Sequence, residues 1–231
     1  MLEQLKQEVY EANMQLPATG LVCLTWGNVS AVDRERECFI IKPSGVAYEE
    51  LRPEMMVVIG FDGKKIEGNL NPSSDTETHR VLYNAFPDIG GIVHTHSTWA
   101  VAWAQAAQDL TCYGTTHADC FYGPIPCCRT LTQEEIDAGY EAATGDVIVE
   151  TFRERKIDPA YVPAVLCANH GPFAWGKNAH DAVHNAFVLE QVAQMALLTK
   201  MVKADADPIP QRQLDKHFLR KHGANAYYGQ K

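Results

Sequence analysis

The sequence predicts a single α/β domain, and three observations lead to this prediction. Its 231 residues suit one large core, because two cores would leave each half small and weakly buried. Hydrophobic residues make up 46% and charged residues 21%, values typical of globular proteins. Helical periodicity and short β-type runs both occur, with no internal repeat, low-complexity tract or linker between them. We therefore treat 1–231 as one domain.

The first third of the chain is predicted to contain one helix and then mainly strands. Apolar residues recur at helical spacing from Leu2 to Leu16, and Pro17 with Gly20 ends this segment. Three β-type runs follow, separated by the turn-rich stretches GNVS, PSGV and DGKK. The runs predicted as strands are LVCLTW, ECFIIKP and MMVVIGFD.

Helices and strands alternate in the rest of the chain. PSSDTETHRVLYNAF predicts a helix with Ser73 or Ser74 as its N-cap. IGGIVHTHS predicts a buried strand, which the helix STWAVAWAQAAQ follows. The further predictions are a helix in TQEEIDAGYEAATG capped by Thr132, two strands joined by a turn in PAVLCANHGPFAWG, and helices over 178–202 and about 208–222.

Composition restricts the partners of the protein. The formal net charge of −9 argues against an extended nucleic-acid surface, which needs clustered Lys and Arg. No apolar run reaches the roughly 18 residues that would span a bilayer, and the amphipathic start is unlike a signal peptide. We expect a cytoplasmic protein without nucleic-acid or membrane partners. An anionic small substrate would need a local site of backbone N–H groups and one or two cations.

The chain has seven cysteines, and their spacing indicates reduced thiols. No pair forms a C-x-x-C motif, so neither a disulfide framework nor a cysteine zinc site is indicated. The adjacent Cys127 and Cys128 could be redox-active, but we favour the interpretation that they are two small packed side chains. The cysteines stand at 23, 38, 112, 120, 127, 128 and 167.

The sharpest chemical feature is His94-Thr95-His96 at the end of a predicted strand. Side chains at i and i+2 point to one face of a strand, so both imidazoles could share a metal ion. His170 also follows a predicted strand and precedes Gly171, and a third nitrogen would complete a catalytic zinc face. Taken alone, an H-x-H pair is equally typical of ordinary polar residues at a strand end.

A rival pair lies on a predicted helix. His180 and His184 are four residues apart and loosely resemble an H-E-x-x-H motif. We discount this pair, because Asp181 stands where that motif has Glu and no third ligand is near in sequence.

Three loops rich in Gly, Asn and Ser form a second feature. Backbone N–H groups in such turns, and at the helix start after Ser74, can bind a phosphate with hydroxyls and one lysine in support. Any one loop by itself is a common turn, and the combination with a metal motif gives the set its interest. The loops are Gly27-Asn28-Val29-Ser30, Lys42-Pro43-Ser44-Gly45 and Pro72-Ser73-Ser74-Asp75.

Candidate acids and bases are scattered along the chain. Asp119 lies in a loop after His117, His217 lies in the last predicted helix, and Tyr228 lies in the tail. Residue chemistry alone does not select them, because loop aspartates are usually caps and terminal tyrosines usually lie on the surface.

Seven sequence blocks together resemble the class II aldolase/epimerase family, which also includes the adducin heads. The blocks are LTWGNVSA, IKPSGV, PSSDT, GGIVHTHS, GTTHAD, NHGPFAWG and KHGANAYYGQ, and they extend over essentially the whole chain. Their number and order are specific to the family, and the last block indicates its epimerase branch. The resemblance implies a central, mainly antiparallel sheet flanked by helices.

The resemblance also implies roles for individual residues. His94, His96 and His170 would bind Zn²⁺, with Asp75 as the nearby carboxylate of the metal site, and Mn²⁺ or Co²⁺ would also suit this geometry. Asp119 and Tyr228 match the acid/base pair, and His217 would lie near the site. The residues matching the substrate-phosphate site are Gly27, Asn28, Lys42, Ser44, Gly45, Ser73 and Ser74.

The activity implied by the resemblance is epimerisation of a phosphorylated pentulose. L-ribulose 5-phosphate would be converted to D-xylulose 5-phosphate at C4 by retro-aldol cleavage and re-addition, with the metal as Lewis acid. The family further implies a homotetramer with active sites between neighbouring subunits.

Two alternatives stay open at this point. An aldolase of the L-fuculose-phosphate type would release the two fragments, and such relatives place Glu where this chain has Asp75. A non-catalytic module like the adducin heads is the other alternative. The intact His94, His96 and His170 argue against it, because a binding scaffold needs no metal ligands.

Overall fold

An eight-stranded sheet organises the chain in the computed structural model, which describes residues 2–222 and 226–227. Its strand order is β4-β3-β2-β1-β5-β8-β7-β6, and every neighbouring pair is antiparallel except β6 with β7. The predicted α/β class and the mainly antiparallel sheet are confirmed. The strands are β1 (Asn28–Asp33), β2 (Cys38–Ile41), β3 (Val57–Gly60), β4 (Lys65–Glu67), β5 (Gly91–His94), β6 (Cys127–Cys128), β7 (Ala164–Cys167) and β8 (Pro172–Gly176).

Helices cover both faces of this sheet and enclose two hydrophobic clusters. On one face α1, α3 and α6 pack on the strands around Leu16 and Leu189, and on the other α2 and α5 pack around Leu82 and Phe152. None of the helices among the described residues is long and apolar enough to cross a membrane. The helices are α1 (Leu2–Ala18), α2 (Thr76–Ala85), α3 (Thr98–Gln105), α4 (Thr115–Ala118), α5 (Gln133–Glu154), α6 (Ala179–Val202) and α7 (Gln211–His222), with a 3₁₀ turn at Pro53–Met55.

The centre of the sheet depends on a close contact between β5 and the start of α6. A Cβ atom added at Gly91 would lie 2.5 Å from the carbonyl carbon of Asn178, so only glycine fits there. The Asn178 side chain accepts a hydrogen bond from the backbone N–H of Asp181 and caps α6. Gly90 and Gly91, which precede the His94-Thr95-His96 motif, therefore set the distance between β5 and the helix that covers it.

One predicted strand is wrong. LVCLTW forms an irregular segment in which Leu24 has a φ of 54° and an 80% exposed side chain. The strand begins instead at Asn28, inside the stretch predicted as a turn, because residues 28–33 find antiparallel partners on both sides. Buried Asn13 supports this start, since its side chain accepts from the Val29 N–H and donates to the Val29 carbonyl. Tertiary pairing has overridden local propensity here.

Helix boundaries differ from the prediction in two places. Neither Ser73 nor Ser74 is the N-cap of α2, which begins at Thr76 with Asp75 in the cap position. Thr132 does cap α5, where its hydroxyl and the Glu135 carboxylate form a capping box. This helix continues to Glu154, well past the predicted segment, after a break at Gly139. The short α4 and β6 were not predicted, because neither is long enough to show a period.

Candidate metal and substrate site

Three histidines converge where the central strands end. His94 is the last residue of β5, His96 follows two residues later, and His170 lies in the turn between β7 and β8. Because β5 pairs with β8, His94 stands opposite Phe173 and stacks on its ring at a centroid distance of 4.2 Å. One ligand nitrogen from each imidazole can be chosen so that all lie within 4.8 Å of one another. The structure thus brings the three predicted ligands together.

Hydrogen bonding and burial suit these imidazoles to a metal ion. The His94 Nδ1–H donates to the Pro172 carbonyl oxygen at 2.9 Å, which leaves Nε2 as the ring nitrogen that can face a metal ion. His170 Nδ1 is buried and has no hydrogen-bond partner among the described residues. Burial lowers the pKa of His170 to about 4 and lowers that of His96 as well, which favours their neutral, metal-binding forms. This donor set fits Zn²⁺ and related divalent ions.

Asp75 lies beside the histidines and is held by Asn28. The Asn28 Nδ2 donates to Asp75 Oδ2 at 2.7 Å and to Ser73 Oγ at 3.0 Å, while the register of β1 and β5 places Asn28 opposite His94. Burial alone would raise the pKa of Asp75, but the net shift is downward, and the hydrogen bond from Asn28 is one cause of it. An ionised carboxylate next to the imidazoles would complement a cation.

A buried polar network lies one helical turn beyond Asp75, and the sequence analysis did not predict it. His79 is fully buried one turn after Asp75 on α2, and its Nδ1 lies 2.7 Å from the Ser30 hydroxyl, which also contacts the Tyr83 hydroxyl at 2.8 Å. Burial lowers the pKa of His79 to about 3, so the ring is neutral. The available signal was the i, i+4 spacing of Asp75 and His79.

Two of the Gly/Ser loops are joined to each other. The Ser44 N–H donates to the Asn71 carbonyl at 2.9 Å, and the Ser73 N–H donates to the Lys42 carbonyl at 3.0 Å. This pairing sets Ser44 beside the start of α2, where backbone N–H groups and the helix dipole favour an anion.

A single pocket of about 560 Å³ contains the predicted metal and substrate residues. Thr25, Trp26, Pro43, Tyr140 and Glu141 complete its wall. The predicted residues that line it are Gly27, Asn28, Lys42, Ser44, Gly45, Ser73, Ser74, Asp75, His94, His96 and His170.

Lys42 lines this pocket, but its ammonium group already contacts a backbone carbonyl and an aromatic ring. Its Nζ donates to the Val46 carbonyl at 3.1 Å and lies 5.0 Å from the centroid of the Tyr48 ring. Burial lowers the pKa of Lys42 to about 8. The cation therefore holds the turn that carries Ser44 and Gly45, and adds a positive charge behind that loop.

Asp119 and His217 lie together, away from this pocket in the single chain. Asp119 accepts from His217 Nδ1 at 2.9 Å and from Arg220 at 3.0 Å, and Lys221 Nζ lies 3.3 Å away. Burial would raise the pKa of Asp119, but His217, Arg220 and Lys221 together hold it below the usual range. The other half of the predicted acid/base pair, Tyr228, lies outside the described residues.

Tyr140 and Glu141 are pocket residues that sequence reasoning missed. Gly139 interrupts α5 with a φ of 152° immediately before them, and the Tyr140 ring lies 5.8 Å from the His170 ring. An isolated glycine inside a helical pattern was the one signal, since such a glycine often marks a break with a functional reason.

The rival histidine pair on α6 forms no metal site within the described residues. His180 Nδ1 lies 2.9 Å from the Gln15 amide nitrogen, and His184 is exposed. The metal-binding group found among residues 2–222 and 226–227 is the His94, His96 and His170 cluster.

Comparison with known proteins identifies the family of this chain. The model of the family "Class II Aldolase and Adducin N-terminal domain" matches residues 7–197. The chain is 56% identical over 230 residues to proteins named L-ribulose-5-phosphate 4-epimerase UlaF from Salmonella paratyphi A and Salmonella typhi, with all of each chain covered. A solved structure of an L-fuculose 1-phosphate aldolase superposes with a TM-score of 0.77 at 26% identity, covering 93% of this chain and 94% of its own. The protein belongs to the class II aldolase and adducin family.

We predict that Gly27→Ala disturbs the metal group, whereas Gly20→Ala does not. Both glycines have left-handed backbone, with φ of 76° and 72°, so each alanine should cost about 1–2 kcal/mol in the free energy of unfolding. Only at Gly27 would the new Cβ also crowd the site, at 3.0 Å from the His94 carbonyl oxygen and 2.6 Å from Val22 Cγ1. Thermal unfolding and metal content after zinc loading would separate the two effects. Equal zinc retention in both variants would contradict the role assigned to Gly27.

Proposed function

We propose that this protein is a zinc-dependent epimerase that converts L-ribulose 5-phosphate to D-xylulose 5-phosphate by cleaving and re-forming the C3–C4 bond. One observation carries the proposal: a single pocket combines three converging imidazoles that could hold a metal ion with paired loops suited to a phosphate. The full-length similarity to proteins named L-ribulose-5-phosphate 4-epimerase supports this substrate among phosphorylated sugars. We further propose that the enzyme is cytoplasmic.

The proposed metal ligands are His94, His96 and His170, with Asp75 beside them. A bound Zn²⁺ would act as a Lewis acid on the ketose oxygens and stabilise negative charge that develops during C3–C4 cleavage. The Pro172 carbonyl fixes the His94 ring, and Asn28 fixes the Asp75 carboxylate. These two hydrogen bonds keep the donors in place before substrate arrives, so little reorganisation is needed during the reaction.

The proposed phosphate site consists of Ser44, Gly45, Ser73 and Ser74, with Asn28 and Gly27 at its border. The Ser44 and Ser73 N–H groups are bonded to backbone carbonyls, so the proposed donors are the serine hydroxyls and the other backbone N–H groups of these loops. The start of α2 contributes the positive end of a helix dipole. Phosphate anchoring has a specific purpose in an epimerase. The aldehyde fragment must stay bound by its phosphate while it presents its other face for re-addition.

Asp119 and Tyr228 are the proposed acid/base pair, supplied by a neighbouring subunit of a homotetramer. Within one chain Asp119 contacts His217 and does not line the pocket. It therefore cannot act on a substrate bound at the metal-site histidines of its own chain. His217, Arg220 and Lys221 keep its carboxylate ionised, which is the form that accepts a proton. A site between neighbouring subunits would bring this carboxylate to the pocket of the next chain.

A second candidate function is aldol cleavage with release of both fragments. The structural similarity to an L-fuculose 1-phosphate aldolase favours it. The short side chain of Asp75 favours epimerisation, because its Oδ2 is tied to Asn28 beside the histidines and a longer Glu would extend further into the pocket. Both functions begin with the same bond cleavage, so the distinction lies in the fate of the aldehyde.

We predict that the zinc-loaded protein converts L-ribulose 5-phosphate to D-xylulose 5-phosphate much faster than it releases glycolaldehyde phosphate. The retained phosphate contacts should favour re-addition over escape. Quantifying both products by chromatography in the same reaction measures this partition. Asp75→Glu should raise the released fraction. If the wild-type protein releases dihydroxyacetone and glycolaldehyde phosphate without forming epimer, the aldolase function is correct instead.

We also predict that two inactive variants restore activity when mixed. The His94→Asn variant lacks a metal ligand but keeps Asp119, whereas the Asp119→Asn variant keeps all three histidines. A site shared between subunits can therefore combine the histidines of one variant with the Asp119 of the other. After subunit exchange at equal amounts, about one quarter of the sites should be intact, since each half is present with a chance of about one half. His184→Asn, which changes an exposed histidine outside the pocket, serves as a fully active control.

The outcome depends on confirmed exchange. Native mass spectrometry should first show that tetramers contain both variants. If mixed tetramers form and the rate stays at the level of the separate variants, Asp119 acts within its own chain or has no catalytic role.

A further inference from the structure

Two cysteines from distant parts of the chain face each other across β6 and β7. These strands are parallel, and Cys128 and Cys167 are direct partners in their register. Neighbouring strands lie about 4.8 Å apart, which falls within the Cα separation of about 4.4–6.8 Å that a disulfide bond requires. The backbone therefore already has the spacing for a Cys128–Cys167 bond.

The adjacent Cys127 is not part of this pair. Successive side chains of a strand point to opposite faces, and Cys127 packs against the cluster on the α6 side while Cys128 and Cys167 belong to the cluster on the α5 side. The Cys127 thiol instead lies 3.6 Å from the Cys128 carbonyl oxygen. The geometry thus favours a pair between strands over the vicinal pair in the sequence.

The two cysteines are register partners that border one small pocket. Both line a pocket of about 150 Å³ that also includes Tyr140 and His170. Tyr140 and His170 line the larger substrate pocket as well. The two cysteines therefore lie on the opposite side of these residues from the substrate pocket. A small oxidant needs to cross only this pocket to meet either sulfur.

The turn that carries His170 depends on Cys167. The Cys167 carbonyl accepts from the His170 N–H at 3.0 Å, and the Cys167 N–H donates to the Gly171 carbonyl at 2.9 Å. Gly171 leaves no spare room, because an added Cβ would lie 2.9 Å from the Thr95 carbonyl oxygen. A displacement of Cys167 is therefore transmitted to His170.

We propose that Cys128 and Cys167 form a redox-active dithiol that peroxide converts to a disulfide, and that this bond weakens metal binding through His170. The disulfide part is independent of the proposed epimerase activity, because it concerns only the two thiols. Formation of the bond would draw the sulfurs to about 2.05 Å, the fixed S–S length, and pull on the turn.

The reaction proceeds in two balanced steps with hydrogen peroxide as the oxidant. One of the two thiols, here Cys128, attacks the peroxide as its thiolate. Its sulfur takes one peroxide oxygen to form a sulfenic acid, and the other oxygen leaves as water. The Cys167 sulfur then displaces the sulfenic oxygen as a second water. Two thiols and one H₂O₂ thus give one disulfide and two waters.

The test treats the full-length, zinc-loaded protein with hydrogen peroxide and then alkylates the remaining thiols. Peptide mass spectrometry without reduction should find a Cys128–Cys167 cross-link that dithiothreitol removes. Cys127→Ser is the matched control and should keep the cross-link, whereas Cys167→Ser should lose it. Zinc should bind about 10-fold more weakly to the oxidised wild type, because changes to residues that orient metal ligands typically weaken binding by about this factor or more. The peroxide-treated Cys167→Ser variant should keep its zinc affinity.

Two results would overturn the proposal. If peroxide modifies exposed Cys23 while Cys128 and Cys167 of the wild type stay fully alkylatable, the pair is not redox-active. If the cross-link forms and zinc affinity is unchanged, the link to His170 is wrong. Both measurements use the wild-type chain, so they remain decisive even if a serine variant fails to fold.

Discussion

The antiparallel register of β1, β5 and β8 is the constraint on which the site depends. It places Asn28, His94 and Phe173 side by side at one end of the sheet. The same register fixes the β7–β8 turn that presents His170 next to His94. Strand pairing is rigid, so the donors converge without help from a mobile loop.

Hydrogen bonds at the strand ends then divide the pocket into two chemical regions. Imidazoles held by the Pro172 carbonyl and by burial form the region for a cation. Paired loops around Ser44 and the start of α2 form the region for an anion, with the engaged Lys42 ammonium behind them. A ketose phosphate would use both regions, with its sugar oxygens on the metal and its phosphate at the loops, so the proposed arrangement favours it over an uncharged sugar.

Much of this arrangement could be predicted from the sequence, because the H-x-H motif and the Gly/Ser loops follow local rules of strand and turn geometry. What could not be predicted comes from contacts distant in sequence. The start of β1 depends on Asn13 and on two partner strands, so local propensity placed it too early. Tyr140 reaches the pocket only through the break at Gly139, and the pairing of Cys128 with Cys167 requires the parallel β6–β7 register.

If the pairing of these strands builds one metal site from three imidazoles, zinc should bind there and nowhere else at comparable occupancy. Anomalous diffraction from zinc-soaked crystals, recorded on both sides of the zinc absorption edge, would locate the ion. We expect one strong peak per chain, about 2.0–2.1 Å from a nitrogen of each of His94, His96 and His170. A peak at His180 and His184, or at the cysteines, with none among these three histidines would contradict it.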